Sequence, residues 1–316
     1  MEDRLAMSFT SWPLQFGLDL AETVGSIPPT LYHYTGLKGV LGIGNSCAVH
    51  AISTDDSKDR TEIEFGVGVV REEIKRRIAE SGLTSFARML LKSLPKALSA
   101  RKRWTFVACF CPELGSSFHC GEYGGYCLEF DTYSTREPQL RPPVFYADVQ
   151  YQHVIYDRTE QYEAIRQAID SISACAVRNT RGEPQGPWAE SMITIHTRTA
   201  AQCLMEIIAS LKSSSFANDR EWRIVCHPRS SLASSAPDLD DANFNSLIKI
   251  RDDSKRYIDL SVRPQGEILT AFPRAVVPFN KIHVPQDVYS RDEERLAIME
   301  MLEANGRSDI PVIPFP

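Results

Sequence analysis

The chain has 316 residues, a net charge of -6 and a pI of about 5.7, which argues against a broad electrostatic grip on nucleic acid and leaves room only for a local basic groove. With 43% hydrophobic and 24% charged residues it has the composition of an ordinary globular protein, long enough for one large domain or two smaller ones. No run of about 18 apolar residues occurs, so neither a membrane span nor a membrane partner is expected.

The opening "MEDRLAMSFTSWPLQFG" lacks a basic segment followed by an apolar core and is not read as a secretory signal. Eight cysteines follow no small-scaffold spacing, so free thiols and a cytoplasmic location are expected. Residues 1–28, running into the "SIPP" of 26–29, are predicted to be an N-terminal arm. "TLYHYT" (30–35) is predicted as a strand from its aromatic and β-branched content, and "GLKGVLGIGN" as a helix. "CAVHAIS" gives a second strand and "TDDSKDRTE" a polar loop. Helical spacing then runs from Glu64 to about Ser99, punctuated by Gly82 and Pro95. "WTFVACFC" and "GGYCLEFD" are strands, "REPQLRPP" a stiff connector and "VFYADVQYQHVIY" a further strand. Helices are expected from about Asp157 to Arg178 and from about Trp188 to Ser213, with a strand in "EWRIVCH" after them. "SSLASSAPDLDDANF" reads as a surface insertion. "RYIDLSV" and "AVVPFNKIHVP" are late strands, and "DEERLAIMEMLEANG" is a helix closed by Gly306. Strands and helices mix without regular alternation, which favours an α+β fold with mainly antiparallel sheets over a doubly wound one. Residues 29–316 are expected to form a single domain, with helical insertions near 64–100 and 157–213.

Four constellations could carry chemistry. In "LYHYT", alternation puts Leu31, His33 and Thr35 on one strand face and Tyr32 and Tyr34 on the other. An imidazole beside a hydroxyl can hold a polar ligand; the plainer account is a core histidine bonded to a backbone carbonyl. In "NDREWR", strand spacing puts Asp219, Glu221 and Arg223 on one face. One carboxylate there can accept from sugar hydroxyls and stabilise a developing cation; the plainer account is a salt-bridged strand end. Cys109 and Cys111, with His119 and Cys120 a loop away, could make a zinc site, but Cys-x-Cys in a buried strand is poor metal spacing, and no metal is expected. In "GEYGGYCLEFD", glycines allow close backbone approach, and Tyr123 and Tyr126 offer faces for a flat heterocycle, against plain core packing. The same stretch holds Glu129 and Asp131, a carboxylate pair that a metal-dependent nuclease could use, but Tyr133 stands where its lysine would be. Two basic runs, "KRR" and "ARKRW", are the local positive features.

Taken in order, "LYHYTGLKGVLGI", "ISTDD", "VACFC", "GGYCLEFD" and "FANDREWRIV" resemble the motifs of a large bacterial family labelled only as a domain of unknown function, number twenty-nine seventy-one. The likeness spans roughly residues 30 to 285. The chain departs from the pattern at Asp55-Asp56, which lacks the following proline, at Cys111 in place of a serine, and at Asp219 in place of a glutamate. That family is in turn distantly similar to ADP-ribosyltransferases, with a first-strand His-x-Thr, a middle aromatic or serine motif and a late Glu or Glu-x-Glu. The resemblance implies a split sandwich of two sheets with flanking helices, and NAD as substrate. It implies that His33 holds the nicotinamide ribose, with Tyr34 and Thr35 beside it. Tyr123 or Tyr126 would stack on nicotinamide, and Arg223 would contribute to binding. Glu221 would stabilise the oxocarbenium-like transition state and Asp219 would orient the nucleophile. It further implies a macromolecular acceptor, protein or nucleic acid, a regulatory partner protein, and a role as a toxin or in defence against phage. A non-catalytic nucleotide- or protein-binding module on the same fold is the alternative, and a metal-dependent nuclease a weaker one.

Overall fold

The structure is a computed structural model that describes residues 27–56, 60–115, 123–132, 140–141, 147–179, 187–228, 248–262, 278–286 and 292–315. The predicted arm, apart from residues 27 and 28, lies outside them, as do the predicted insertion at 230–244 and His119 and Cys120 of the weighed zinc set.

The described strands form two sheets. The first has the order β1 (Thr30–Thr35), β4 (Tyr126–Asp131), β10 (Lys281–Val284), β11 (Val312–Pro314). The second runs β5 (Leu140–Arg141), β9 (Arg256–Val262), β2 (Ala48–Ser53), β3 (Phe106–Phe110), β7 (Trp222–Pro228), β6 (Ala147–His153), with β8 (Lys249–Ile250) also on β9. Among these strands only β10 and β11 pair in parallel. The fold is therefore α+β with mainly antiparallel sheets. The strand residues explain their own faces. In β3, Phe106, Ala108 and Phe110 are buried while Cys109 between them is exposed, the period of two that a pleated strand imposes.

One backbone pair joins the sheets. Tyr32 N–H donates to Cys111 C=O and Cys111 N–H donates back to Tyr32 C=O, both at 2.8 Å. Beyond that pair β1 leaves β3 and continues along β4, from Thr35↔Tyr126 to Thr30↔Asp131. Leu31, Phe106, Phe110, Leu128, Phe130 and Ile224 belong to the core that the two sheets share. Helices α1 (Leu37–Ser46) and α6 (Asp292–Ala304) add to it; the Gly44 backbone of α1 lies so close to Met301 of α6 that a β-carbon would overlap the thioether.

A second core lies among α2 (Arg60–Ala79), α3 (Ser85–Arg101), α4 (Arg158–Asn179) and α5 (Pro187–Ala209). Thr84 caps α3 by accepting from Ala87 N–H at 3.2 Å, and Phe86, Leu90, Leu94 and Leu98 bury one face at helical spacing. Pro95, read from the sequence as punctuation, sits inside α3, which continues to Arg101. A proline there removes one backbone hydrogen bond, but Leu91, Leu94 and Leu98 are fully buried on both sides of it, and that packing carries the helix through. Among the described residues no helix is long and apolar enough to cross a membrane.

Candidate functional site

The two sheets, the seam between them and the exit of α5 meet around Glu221. The chain leaves α5 through Ser210 and Leu211, where Ile155 N–H donates to Ser210 C=O at 2.8 Å. Lys212 follows at once. Ser213 then caps a 3-10 turn, Ser214–Asp219, through its side-chain oxygen. Asp219 thus ends a helical turn and is not on the strand the sequence placed it on; three consecutive serines offer the side-chain acceptors that favour a cap over a strand. Arg220 takes a left-handed conformation, φ 44°, and turns the chain into β7. Glu221 is held at the entry by its own backbone. Its N–H donates to the Tyr156 hydroxyl at 2.9 Å, and its C=O accepts from Val154 N–H at 2.9 Å.

The carboxylate is 5% exposed and fully engaged. Arg223 donates from Nε to Oε1 at 2.7 Å and from Nη2 to Oε2 at 3.2 Å. Lys212 Nζ donates to Oε2 at 2.9 Å and to Asp219 Oδ2 at 2.8 Å. Arg223 is fixed in turn by Nη1 on Ala209 C=O at 2.7 Å. Two buried cations thus face two buried anions, the ion-pair network weighed as the plainer account of these residues. Burial alone would push the Glu221 carboxyl up; the Arg223 guanidinium beside it, then Lys212 and the Cys109 thiol, outweigh this and hold it down at about 2.

His33 reaches the same place from the other sheet. Its Nδ1 lies 2.9 Å from Cys109 C=O. That carbonyl cannot donate, so Nδ1 carries the proton and Nε2 of the neutral ring is an acceptor. The placement follows from the seam. Cys111 bonds Tyr32, so Cys109, two residues back, also turns its backbone groups toward β1, and where β1 has veered away the imidazole supplies the missing donor. Desolvation lowers the His33 pKa, keeping the ring neutral at physiological pH. Shielding by neighbouring atoms, then the Glu221 charge, raise the pKa of the Cys109 thiol well above the ordinary value. Cys109 is therefore a thiol at neutral pH, not a ready nucleophile.

Around this axis the remaining candidates separate. Tyr123 is 47% exposed, and its pKa is pushed up to about 12 by burial of part of the ring and by Glu221, Asp219 and Cys109, while Lys212 opposes them. It is therefore within electrostatic reach of the charged group. Tyr126 is in the shared core, with its hydroxyl on the Glu294 carboxylate of α6. Tyr34 is buried too; its hydroxyl donates to Glu113 C=O at 3.3 Å and accepts from Gly115 N–H at 3.0 Å, and its ring stacks on Phe315. Thr35 lies against the first turn of α1, where a β-carbon on Gly39 would overlap its hydroxyl. The glycine expected to admit a ligand, Gly124 (φ 112°), instead admits the chain itself: a β-carbon there would lie 2.8 Å from Gly36 backbone atoms. Glu129 accepts from Lys281 Nζ at 2.7 Å and pairs with His283 Nε2 at 2.9 Å.

The structure thus brings together His33, Tyr123, Asp219, Glu221 and Arg223 and leaves Tyr34 and Tyr126 in packing roles. Sequence reading missed Lys212, Tyr156 and the linking part of Cys109. Lys212 carries no motif, because its role comes from a helix exit that folds it back over residues seven and nine positions later.

Residues 119–224, roughly a third of the chain, match the family described as "Protein of unknown function (DUF2971)", the family to which the motifs pointed. No curated protein and no solved structure matches the chain.

Proposed function

We propose that the chain cleaves the bond between nicotinamide and ribose in NAD and transfers ADP-ribose to a macromolecular acceptor or to water. The observation that carries this reading is the convergence on Cys109: its carbonyl lies 2.9 Å from His33 Nδ1, and on the next strand it stands opposite Arg223, which holds the Glu221 carboxylate. Three motifs far apart in sequence therefore lie on neighbouring strands, in the order of the resemblance. Nicotinamide leaves as a neutral ring, so the chemistry asks for a hydrogen-bond anchor on the ribose, a stacking face and a carboxylate near the developing cation. His33 Nε2, the exposed Tyr123 ring and Glu221 are this chain's groups of those three kinds.

The same geometry sets a condition. All the Glu221 oxygens are taken, so a ribose hydroxyl can bond it only when a present donor leaves. Lys212 is that donor: Asp219 already shares its ammonium, whereas Arg223 is locked to both oxygens and to Ala209. Moving Lys212 wholly onto Asp219 opens one acceptor position on Glu221 Oε2, which keeps its bond from Arg223, without stranding a charge.

The saturated carboxylate is also the observation that favours a second reading, a non-catalytic nucleotide- or protein-binding module. Release of nicotinamide from NAD by the full chain separates them. Under the first reading release is measured, and Glu221→Gln lowers it by about 100-fold or more while circular dichroism stays unchanged. A rise in melting temperature with NAD and no release, with or without a cell extract as a source of acceptors, moves the conclusion to the second reading. Neither release nor a shift overturns both.

A further inference from the structure

Away from that site, α3 and α5 enclose a cleft of about 370 Å³. It exists because α3 presents Ser93, Ala97 and Ala100, small residues at i, i+4 and i+7, where its neighbouring face carries leucines. Three cations line it: Lys96 and Arg101 from α3 and Arg198 from α5. No carboxylate lines it, and no ion pair to any of the three is present among the described residues. Burial and then Arg198 hold the Arg101 guanidinium below its ordinary pKa, outweighing Cys203 and the buried Glu206, which act the other way.

Two polar atoms in the lining are buried and lack partners among the described residues. One is Arg198 Nη1 and the other is the hydroxyl of Thr197, a residue 5% exposed. A buried guanidinium N–H and a buried hydroxyl left unbonded each cost free energy, and such groups call for a ligand, an ion or a water. Ser93 and Thr194 direct their hydroxyl protons to their own helices, at Met89 C=O and Glu190 C=O, which leaves the cleft rich in donors from Arg101, Arg198, Lys96 and Thr197.

Like charges held together over unbonded donors are the complement of a compact polyanionic group. Planar guanidiniums match a phosphoryl group bidentately, and lysine adds a point charge. The rest of the cleft asks for something else. Ala97, Ala100 and Ile193 form an apolar wall, and a guanidinium plane can stack on a flat ring. A volume of this size lies in the range of about 300–1,000 Å³ that small-molecule sites occupy. We propose that the α3–α5 cleft is a binding site for a small phosphomonoester with a flat heterocyclic body, of the nucleoside monophosphate type. The site is separate from the group around Glu221 and does not depend on the activity proposed there.

The experiment is calorimetric titration of the full chain at low salt with AMP, with adenosine and inorganic phosphate as the two half-ligands. Saturable AMP binding with a Kd below about 1 mM is expected, with each half-ligand binding at least about tenfold more weakly. Arg198→Gln and Arg101→Gln, each checked for fold by circular dichroism, should weaken AMP by about tenfold or more. Lys96→Gln, on an exposed side chain, should weaken it less and keeps the test informative if the arginine variants fail to fold. Absence of saturable AMP binding overturns the proposal. So does adenosine binding as well as AMP, which would mean that the cations take no part. Inorganic phosphate binding as tightly as AMP would leave an adventitious ion only. AMP affinity unchanged in all three variants would place AMP elsewhere on the molecule.

Discussion

Glu221 is a buried acid held by Arg223 and Lys212, so its titration can be turned into stability. Its carboxyl titrates near 2 in the folded chain against an ordinary 4.5. Between those values the unfolded chain binds the proton and the folded chain does not, so stability falls as pH drops through that window. Above about pH 4.5 the full contribution is present, about 3 kcal/mol at roughly 1.4 kcal/mol per tenfold in proton affinity. We expect the melting temperature to drop more steeply from pH 5 to pH 2.5 in the natural sequence than in Glu221→Gln; parallel profiles would show that the ion pairs contribute nothing. Glutamine is the informative replacement, since it removes the charge and keeps the volume and a hydrogen-bonding oxygen, whereas alanine would also open a cavity beside Lys212 and Arg223. The acid and its arginine were legible in the sequence because two residues of spacing and a following strand sufficed to group them. Tyr126, offered with Tyr123 as a stacking face against plain core packing, is buried. An aromatic beside a glycine turn looks the same whether its ring meets solvent or α6, and only the tertiary fold supplied Glu294 to its hydroxyl.

At the level of elements, the turn into β4 illustrates how a short motif is read. "GYC" within "GGYCLEFD" announced a strand, and Gly124 and Gly125 announced freedom at its start; both take positive φ, 112° and 79°. What the freedom is for was not legible, because Gly36 lies 88 residues earlier and its approach depends on β1 pairing with β4 in a particular register. An alanine at 124 meets a backbone, which cannot swing aside as a side chain can. Gly124→Ala is expected to destabilise by at least about 2 kcal/mol, from the positive φ and the contact together. A melting temperature within a degree of the natural chain would show that β1 and the turn can separate freely. The helices followed the opposite pattern. Their periodicity gave them away in sequence, and the helical spacing that runs past Pro95 to about Ser99 continues in α3 to Arg101, because leucines on both sides of the proline are packed.

For the whole molecule, two cores divide the chain without dividing it in order. The helical core takes residues from 63–98 and from 165–211, while the sheet core takes residues from before, between and after them. The family match begins at residue 119 and so contains Tyr123, Asp219 and Glu221 but not His33. The charged group lies wholly inside the matched segment, whereas His33 and the Cys109 carbonyl it bonds come from strands before it. Composition and motif order were enough to announce a mixed fold with antiparallel sheets. The pairing of strands far apart in sequence was not announced, because register over such separations is set by the buried faces that the folded chain brings together.

The contact between β1 and β3 has a further consequence. Two amides, Tyr32 and Cys111, carry the backbone bonds across it, whereas β1 and β4 are zipped over six residue pairs. In deuterated solvent the Tyr32 and Cys111 protons should exchange sooner than those along the β1–β4 ladder, since two bonds open at less cost than a whole zipper. Residue-resolved exchange rates measure it. Equal protection on both edges of β1 would mean that the sheets breathe as one body rather than parting at the stitch.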